Sequence, residues 1–303
     1  MVYDLIIVGM GPAGVTASIY AKRAGLNILC LDKGMVGGYL NFIDRIDNYP
    51  GYYNVTGPEL AFNLYSQIKQ LEVNYKNEEV LDVVEDANDK IVKTKKNEYR
   101  CKYLIIATGR VSRKLGLENE DTLLGKGLSH CALCDGYLYK NQDVAVVGGG
   151  ESALTEALYL ANICQRVYLI HRSENFKAAA TLVDRVVNSD NIILKKNRKI
   201  VALNVDDDKL ASVTLDNGKC LNVSCLFAYI GYVPGTNFAI TLGLADETGY
   251  IKVNEKYETE RSGIYAVGDI IKKEMYQIVT ANAEGAIAAN EVIKRIKTMK
   301  CTP

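Results

Sequence analysis

Apolar residues along this chain gather in short unbroken runs that end in glycine. Longer stretches of helical period lie between them. Leu5-Ile6-Ile7-Val8 is the first run, Asn27 to Leu31 the second, and Tyr103 to Ala107, Val144 to Val147, Val167 to Ile170 and Gly263 to Val267 follow. Four to eight apolar residues without polar alternation predict a strand covered on both faces, as in a parallel sheet between helices. Ala13 to Arg23 reads as the helix after the first strand. Glu151 to Ile163 has apolar residues at 153, 154, 157, 158, 160 and 161, a helical stripe. Gln277 to Ile296 reads as a long helix, and its small residues Ala281, Ala283, Gly285, Ala286, Ala288 and Ala289 allow close packing. Polar Asn88 to Arg100 predicts a hairpin arm, and Asp206-Asp207-Asp208 a turn between strands.

This order predicts an α/β protein of two Rossmann-like domains with parallel sheets, the second inserted into the first. The first is expected over residues 1–112 and 240–303, the second over 113–239. The crossovers fall near 110–115 and 235–242, and both are natural hinges.

Composition narrows the function. The 303 residues suffice for two cores. With 36 basic and 36 acidic residues the formal charge is zero, so nothing favours nucleic acid or a membrane surface. No apolar stretch nears the roughly 20 residues of a membrane span. The first strand begins too early for a signal peptide, so a cytoplasmic protein is expected. Of eight cysteines, most sit in apolar or strand-like contexts.

Three motifs carry chemistry. Gly9-Met10-Gly11-Pro12-Ala13-Gly14 lies between the first strand and its helix, and Asp32 ends the next strand. That is a dinucleotide loop with its ribose acid: glycines for the turn, for approach to a pyrophosphate and for helix packing. Gly148-Gly149-Gly150-Glu151-Ser152-Ala153 repeats the arrangement. There the following strand, Val167 to Ile170, gives way to His171-Arg172 rather than to an acid, with His171 expected in the loop near the nucleotide and Lys177 beyond. Bases at that place favour a 2′-phosphate, so Gly148, Gly150, Ser152, His171, Arg172 and Lys177 are expected to hold NADPH. Cys131-Ala132-Leu133-Cys134-Asp135 lies between the loops. Two thiols so spaced can open and close a disulfide, and the adjacent carboxyl can move the proton released. No second pair has the spacing to complete a zinc site, so no metal is expected.

Both loops, Cys-x-x-Cys-Asp, Ala107-Thr108-Gly109 and Gly268-Asp269 together resemble the low-molecular-weight thioredoxin reductases, over essentially the whole chain and in that family's order. The resemblance implies FAD on the first domain, NADPH on the second, a homodimer and thioredoxin or a similar small protein as the disulfide substrate. It places Gly9, Gly11, Pro12, Ala13, Gly14, Asp32, Lys33, Gly37, Gly38, Tyr39 and Asn48 at the flavin. Ala107, Thr108, Gly109, Gly268, Asp269, Gln277 and Ile278 complete that set. It implies a buried Cys134 facing the flavin, Cys131 attacking the substrate and Asp135 as acid/base. The chain departs from the family at three places. Gly-Gly-Gln is Gly37-Gly38-Tyr39, Arg-Gln before the last helix is Tyr276-Gln277, and His-Arg-Arg with a later Arg is His171-Arg172-Ser173 with Lys177. Some relatives take electrons from ferredoxin, so the alternative donor is ferredoxin. A flavin-bound redox sensor without turnover is the alternative outside enzymes.

Overall fold

The computed structural model describes residues 1–43, 46, 48–87, 89–235 and 237–301, with the backbone alone at Asn237, Ile240, Lys300 and Cys301. Asn88 of the expected hairpin arm, Thr236 of the second crossover, the Cys301 thiol and residues 302–303 of the expected first domain lie outside the described residues.

The chain forms two compact units, Met1–Val111 with Val233–Pro303, and Ser112–Tyr232. The first begins with β1 (Val2–Val8), α1 (Pro12–Arg23), β2 (Ile28–Asp32), α2 (Gly57–Gln70), β3 (Tyr75–Asn77), β4 (Val80–Asp86), β5 (Asp89–Thr94), β6 (Glu98–Ile106) and the crossover strand β7 (Arg110–Ser112). The second holds α3 (Glu120–Leu123), β8 (Leu128–Ser129), α4 (Ala132–Asp135), β9 (Asp143–Gly148), α5 (Glu151–Ala161), β10 (Arg166–His171), α6 (Ala180–Val187), β11 (Ile192–Lys196), β12 (Ile200–Asp206), β13 (Lys209–Leu215), β14 (Cys220–Asn222) and β15 (Cys225–Tyr229). The return is β16 (Tyr232–Pro234), α7 (Asn237–Thr241), β17 (Ile264–Ala266) and α8 (Ile278–Cys301).

In the first unit β3, β2, β1 and β6 run parallel in that order. The nine-residue β6 has two neighbours on its far side: β17, parallel, along Leu104 to Ile106, and β5, antiparallel, along Glu98 to Cys101. Residues 89–100 of the expected hairpin arm are therefore β5 and the start of β6, and with β4 antiparallel to β5 they make this sheet mixed. β1 explains its own sequence. Leu5 and Ile7 face a core shared with α1 and α8, and Ile6 and Val8 face another containing Phe238, Ala239 and Leu242. Both faces are dry from Leu5 to Val8, so no polar position interrupts that part of the strand.

That second core also fixes the crossover. Residues 233–239, expected in the inserted unit, belong with the first, because Phe238 and Ala239 are buried against Ile6 and Val8. The chain passes between units at Val111–Ser112 and at Tyr232–Val233, where β7 and β16 pair.

The second unit has a parallel sheet in the order β11, β10, β9, β15, β8. β12, β13 and β14 form a separate antiparallel sheet, and the turn expected at Asp206-Asp207-Asp208 joins its first two strands. Asp207 and Asp208 both take left-handed backbone angles there. Among the described residues no helix is long and apolar enough to cross a membrane.

Candidate functional site

Parallel strands bring the first unit's expected flavin residues to one sheet edge. β1 runs into Gly9, β2 ends at Asp32, β6 runs into Ala107 to Gly109, and β17 leads to Gly268 and Asp269. The glycines are required by what lies beside them. A Cβ on Gly9 would sit 2.3 Å from Ala107 O, one on Gly14 1.8 Å from Gly9 O, and Gly9 has φ +99°. Gly37 donates its N–H to Met10 O at 2.8 Å, and a Cβ on Gly38 would lie 3.2 Å from Gly11 Cα. Gly268 closes the other side, 3.1 Å from Ala13 Cβ by the same measure. Gly11 itself faces open space, with nothing within 4 Å of its would-be Cβ. The result is a narrow backbone cradle open at Gly11 and at the start of α1, where Pro12 needs no hydrogen-bond acceptor. It fits the pyrophosphate of a dinucleotide.

The surrounding side chains are held in place. Asp32 accepts from Met10 N and Gly34 N, so its carboxylate stays at the loop. Thr108 Oγ1 donates to Gly235 O at 2.7 Å, and Gly109 O accepts from Gly235 N at 2.9 Å. Asn48 Nδ2 donates to Gln277 Oε1 at 2.9 Å, beside Ile278 at the start of α8. Lys33 pairs at the surface with Glu79, and Tyr39 is exposed against Phe42. Glu284 is buried and accepts from Gly268 N at 2.7 Å and Lys273 Nζ at 2.8 Å. Burial pushes the Glu284 carboxyl up, against the pull of Lys273.

In the second unit Gly148 lies against Tyr229 O, where a Cβ would come within 2.4 Å. Gly149 lies against the ring of His171, 2.1 Å by the same measure. His171 was expected in a loop. It is instead the buried last residue of β10, stacked on Phe176 at 5.2 Å, because the strand continues one residue beyond its apolar run. Lys177 N donates to Gly149 O at 2.6 Å, and Glu151 Oε1 accepts from Ala179 N at 3.2 Å. These bonds pin residues 176–179 to the loop. Ser152, Arg172 and Lys177 are exposed beside it. Glu174 is engaged by Lys196 at 3.6 Å and Asn197 at 2.6 Å. This arrangement fits a nucleotide whose 2′ end carries a phosphate.

Cys131 and Cys134 form a disulfide with Cα atoms 5.3 Å apart. Cys131 caps the short α4, and its Sγ accepts from Cys134 N at 3.0 Å. The expectation of a buried Cys134 is reversed. Cys131 is buried and Cys134 is exposed, because Cys131 sits inside a hydrogen-bonded turn and Cys134 lies one turn outward. Two residues not singled out in the sequence build that turn. Ser129 Oγ accepts from Cys131 N at 3.0 Å and donates to Asp135 Oδ2 at 2.6 Å, and Tyr229 Oη accepts from Ala132 N at 2.8 Å. His130 Nδ1 lies 3.2 Å from Ala228 O, a packing contact.

Other described cysteines lie apart from this chemistry. Burial pushes the Cys101 thiol up to about 12 and Cys164 to about 11, and raises Cys30 and Cys225 further. Such thiols resist ionisation and exchange. Cys220 is exposed and single. Among the described residues no group of three metal-ligating side chains occurs.

Residues 3–285 match the family model described as pyridine nucleotide-disulphide oxidoreductase. The chain is 36% identical over 304 residues to a thioredoxin reductase of Listeria innocua, covering 99% of this chain and 95% of that protein. It is 40% identical over 300 residues to one from Mycoplasma pneumoniae, covering 95% and 93%. The crystal structure of Lactococcus lactis thioredoxin reductase superposes with a TM-score of 0.88 at 35% identity, covering 98% of this chain and 99% of that one. Family match, relatives and architecture agree with the two glycine loops and the dithiol: the chain belongs to the pyridine nucleotide-disulphide oxidoreductases, in their low-molecular-weight thioredoxin reductase branch.

Proposed function

We propose that this protein is an FAD-dependent thioredoxin reductase that takes electrons from NADPH and passes them through Cys131 and Cys134 to the disulfide of thioredoxin or a similar small protein. The observation that carries this reading is the Cys131–Cys134 disulfide with Asp135 hydrogen-bonded beside it, in a chain with two glycine cradles. Bound FAD supplies the transfer of two electrons from the nicotinamide to the disulfide. Gly9, Gly11, Pro12, Ala13 and Gly14 hold its pyrophosphate, and Asp32 and Lys33 its adenosine end. Gly37, Gly38, Tyr39, Asn48, Ala107, Thr108, Gly109, Gly268, Asp269, Gln277 and Ile278 surround the rest. Gly148, Gly150, Ser152, His171, Arg172 and Lys177 hold NADPH.

The exchange itself is balanced by residues of this chain. In the disulfide, Cys134 N–H donates to Cys131 Sγ, and a donor placed there favours negative charge on that sulfur once the bond is reduced. The Cys131 thiolate attacks one sulfur of the substrate disulfide, forming a mixed disulfide. The other substrate sulfur leaves as a thiolate and takes a proton from Asp135. Cys134 then gives its proton to Asp135 and attacks Cys131 Sγ, which restores the intramolecular disulfide and releases the second substrate sulfur as a thiolate that takes that proton. Two electrons reach the substrate. Cysteines and nicotinamide site share the inserted domain while one flavin serves both, so motion at the two crossovers belongs to the cycle.

The reading carries a homodimer and a cytoplasmic site of action, where reductants keep the buried cysteines as thiols. Anaerobic mixing with NADPH, and separately with reduced ferredoxin, tests the donor. Flavin bleaching by NADPH within seconds is expected. Bleaching by ferredoxin alone would move the protein to that class of reductase, and bleaching without turnover of thioredoxin would make it a sensor.

A further inference from the structure

We propose that Arg110 positions the Asp269 carboxylate for the flavin, supplying from the crossover strand β7 the guanidinium that the resemblance places at residue 276. This rests on the flavin reading of the Gly268–Asp269 turn.

Arg110 Nε and Nη2 both donate to Asp269 Oδ2, at 3.2 and 2.9 Å. The two side chains are about three-quarters covered, 26% and 30% exposed, so water competes weakly for the bond. The same guanidinium lies over the ring of Tyr276, with Cζ 4.2 Å from the centroid, and Tyr276 leans on Tyr250 at 6.1 Å. Arg110 is thus held by a carboxylate on one side and by an aromatic ring on another. Residue 276 and residue 110 share one space. Two guanidiniums there would repel, so Tyr276 and Arg110 are complementary. Tyr276 is the family departure for which the sequence alone offers no compensation, and Arg110 is that compensation.

The bond pattern says what the pair does. Both Arg110 donors use Oδ2. Oδ1 faces Lys273 at 3.6 Å, beyond hydrogen-bond length, and keeps lone pairs for a hydroxyl donor. Glu284 holds Gly268 N and Lys273 Nζ from the α8 side. The turn is therefore held at its backbone by Glu284 and at its side chain by Arg110. Asp269 is oriented with Oδ1 ready to accept from the sugar-alcohol chain of a flavin.

The test strips FAD from the purified protein and titrates each apoprotein with FAD, following quenching of flavin fluorescence. Arg110→Ala is expected to raise the FAD Kd about tenfold, the effect of losing one charge-assisted bond. Arg110→Lys keeps charge without the fork and should fall between. Arg110→Ala combined with Tyr276→Arg should return to within about twofold of the wild type. That rescue separates positioning from damage to the fold, and it stands even if Arg110→Ala alone folds poorly. Asp269→Ala is measured beside them. If it weakens FAD while Arg110→Ala does not, or if the swap fails to rescue, the inference fails and the flavin reading stands. If Asp269→Ala leaves FAD affinity unchanged, the flavin reading of the turn fails and takes the inference with it.

Discussion

Ser129 Oγ donates a 2.6 Å hydrogen bond to Asp135 Oδ2. The same oxygen accepts Cys131 N–H, so one hydroxyl links the proton carrier to the backbone of the sulfur it serves. Ser129 is buried, and its hydrogen bond fixes which way the carboxylate points. Ser129→Ala should slow turnover with thioredoxin by roughly tenfold, the scale of one charge-assisted bond. Ser129→Thr should recover most of the rate. An unchanged rate in Ser129→Ala would remove Ser129 from the mechanism.

The dithiol asks for a trapping experiment, because exposure and assigned role point to different sulfurs. Cys134 is exposed in the disulfide form, yet Cys131 receives the stabilising N–H. With a thioredoxin whose resolving cysteine is serine, Cys134→Ser should accumulate a mixed disulfide at Cys131, seen as a covalent band on non-reducing gels. Cys131→Ser should accumulate little. The opposite pattern reverses the roles.

The same region shows how far the sequence could be read. Strands buried on both faces announce themselves as unbroken apolar runs, and the two glycine loops follow from backbone needs that only glycine meets. Both loops and the dithiol were therefore legible. Ser129 and Tyr229 were not, since one is a common polar residue and the other sits 97 positions from its hydrogen-bond partner Ala132. Arg110 was invisible for the same reason: its carboxylate lies 159 positions away. His171 was misplaced because a histidine at a strand end carries no apolar signal, although its ring fills the space that Gly149 leaves. The second crossover was drawn late, because nothing before the fold showed that Phe238 and Ala239 bury against β1.

Donor affinity should respond to Glu174. Lys196 and Asn197 hold this carboxylate two residues from Arg172. Lys196→Ala releases its negative charge toward the expected 2′-phosphate site and should raise the KM for NADPH about two- to fivefold, as exposed charges allow. Glu174→Gln should lower it, and NADH should be affected less in both. Salt should shrink the difference. Equal effects on NADH and NADPH would place Glu174 away from the 2′ end.

Gly285 makes the contact between α1 and α8 possible. A Cβ there would come 2.2 Å from Ala13 O, which is backbone and cannot rotate away. Gly285→Ala should push α8 off α1 and cost about 1–3 kcal/mol, read as a lower unfolding midpoint. Ala13 lies in the first turn of α1 at the flavin cradle, so FAD retention through gel filtration should fall as well. Wild-type retention together with a wild-type midpoint would show that the helices can separate freely.

Acid should act through Glu258. Arg295 Nη1 and Nη2 grip its two oxygens at 2.6 Å each, and Gly263 N donates at 2.9 Å. Burial pushes this carboxyl up, but the guanidinium fork and the N–H outweigh it and hold the group below the ordinary carboxylate range. A lowered folded value means that the unfolded chain binds the proton first. The stabilisation is then complete above the unfolded value, roughly pH 4.3, and is lost as pH falls through the folded value. Arg295→Leu should cost about 2 kcal/mol at pH 7, since it leaves a largely covered carboxylate without its cation. The gap in unfolding midpoint between wild type and Glu258→Gln should hold from pH 7 to about pH 5 and narrow below about pH 4. A gap that widens in acid would mean that Glu258 is protonated in the folded protein, and that Arg295 is held by Glu291 instead.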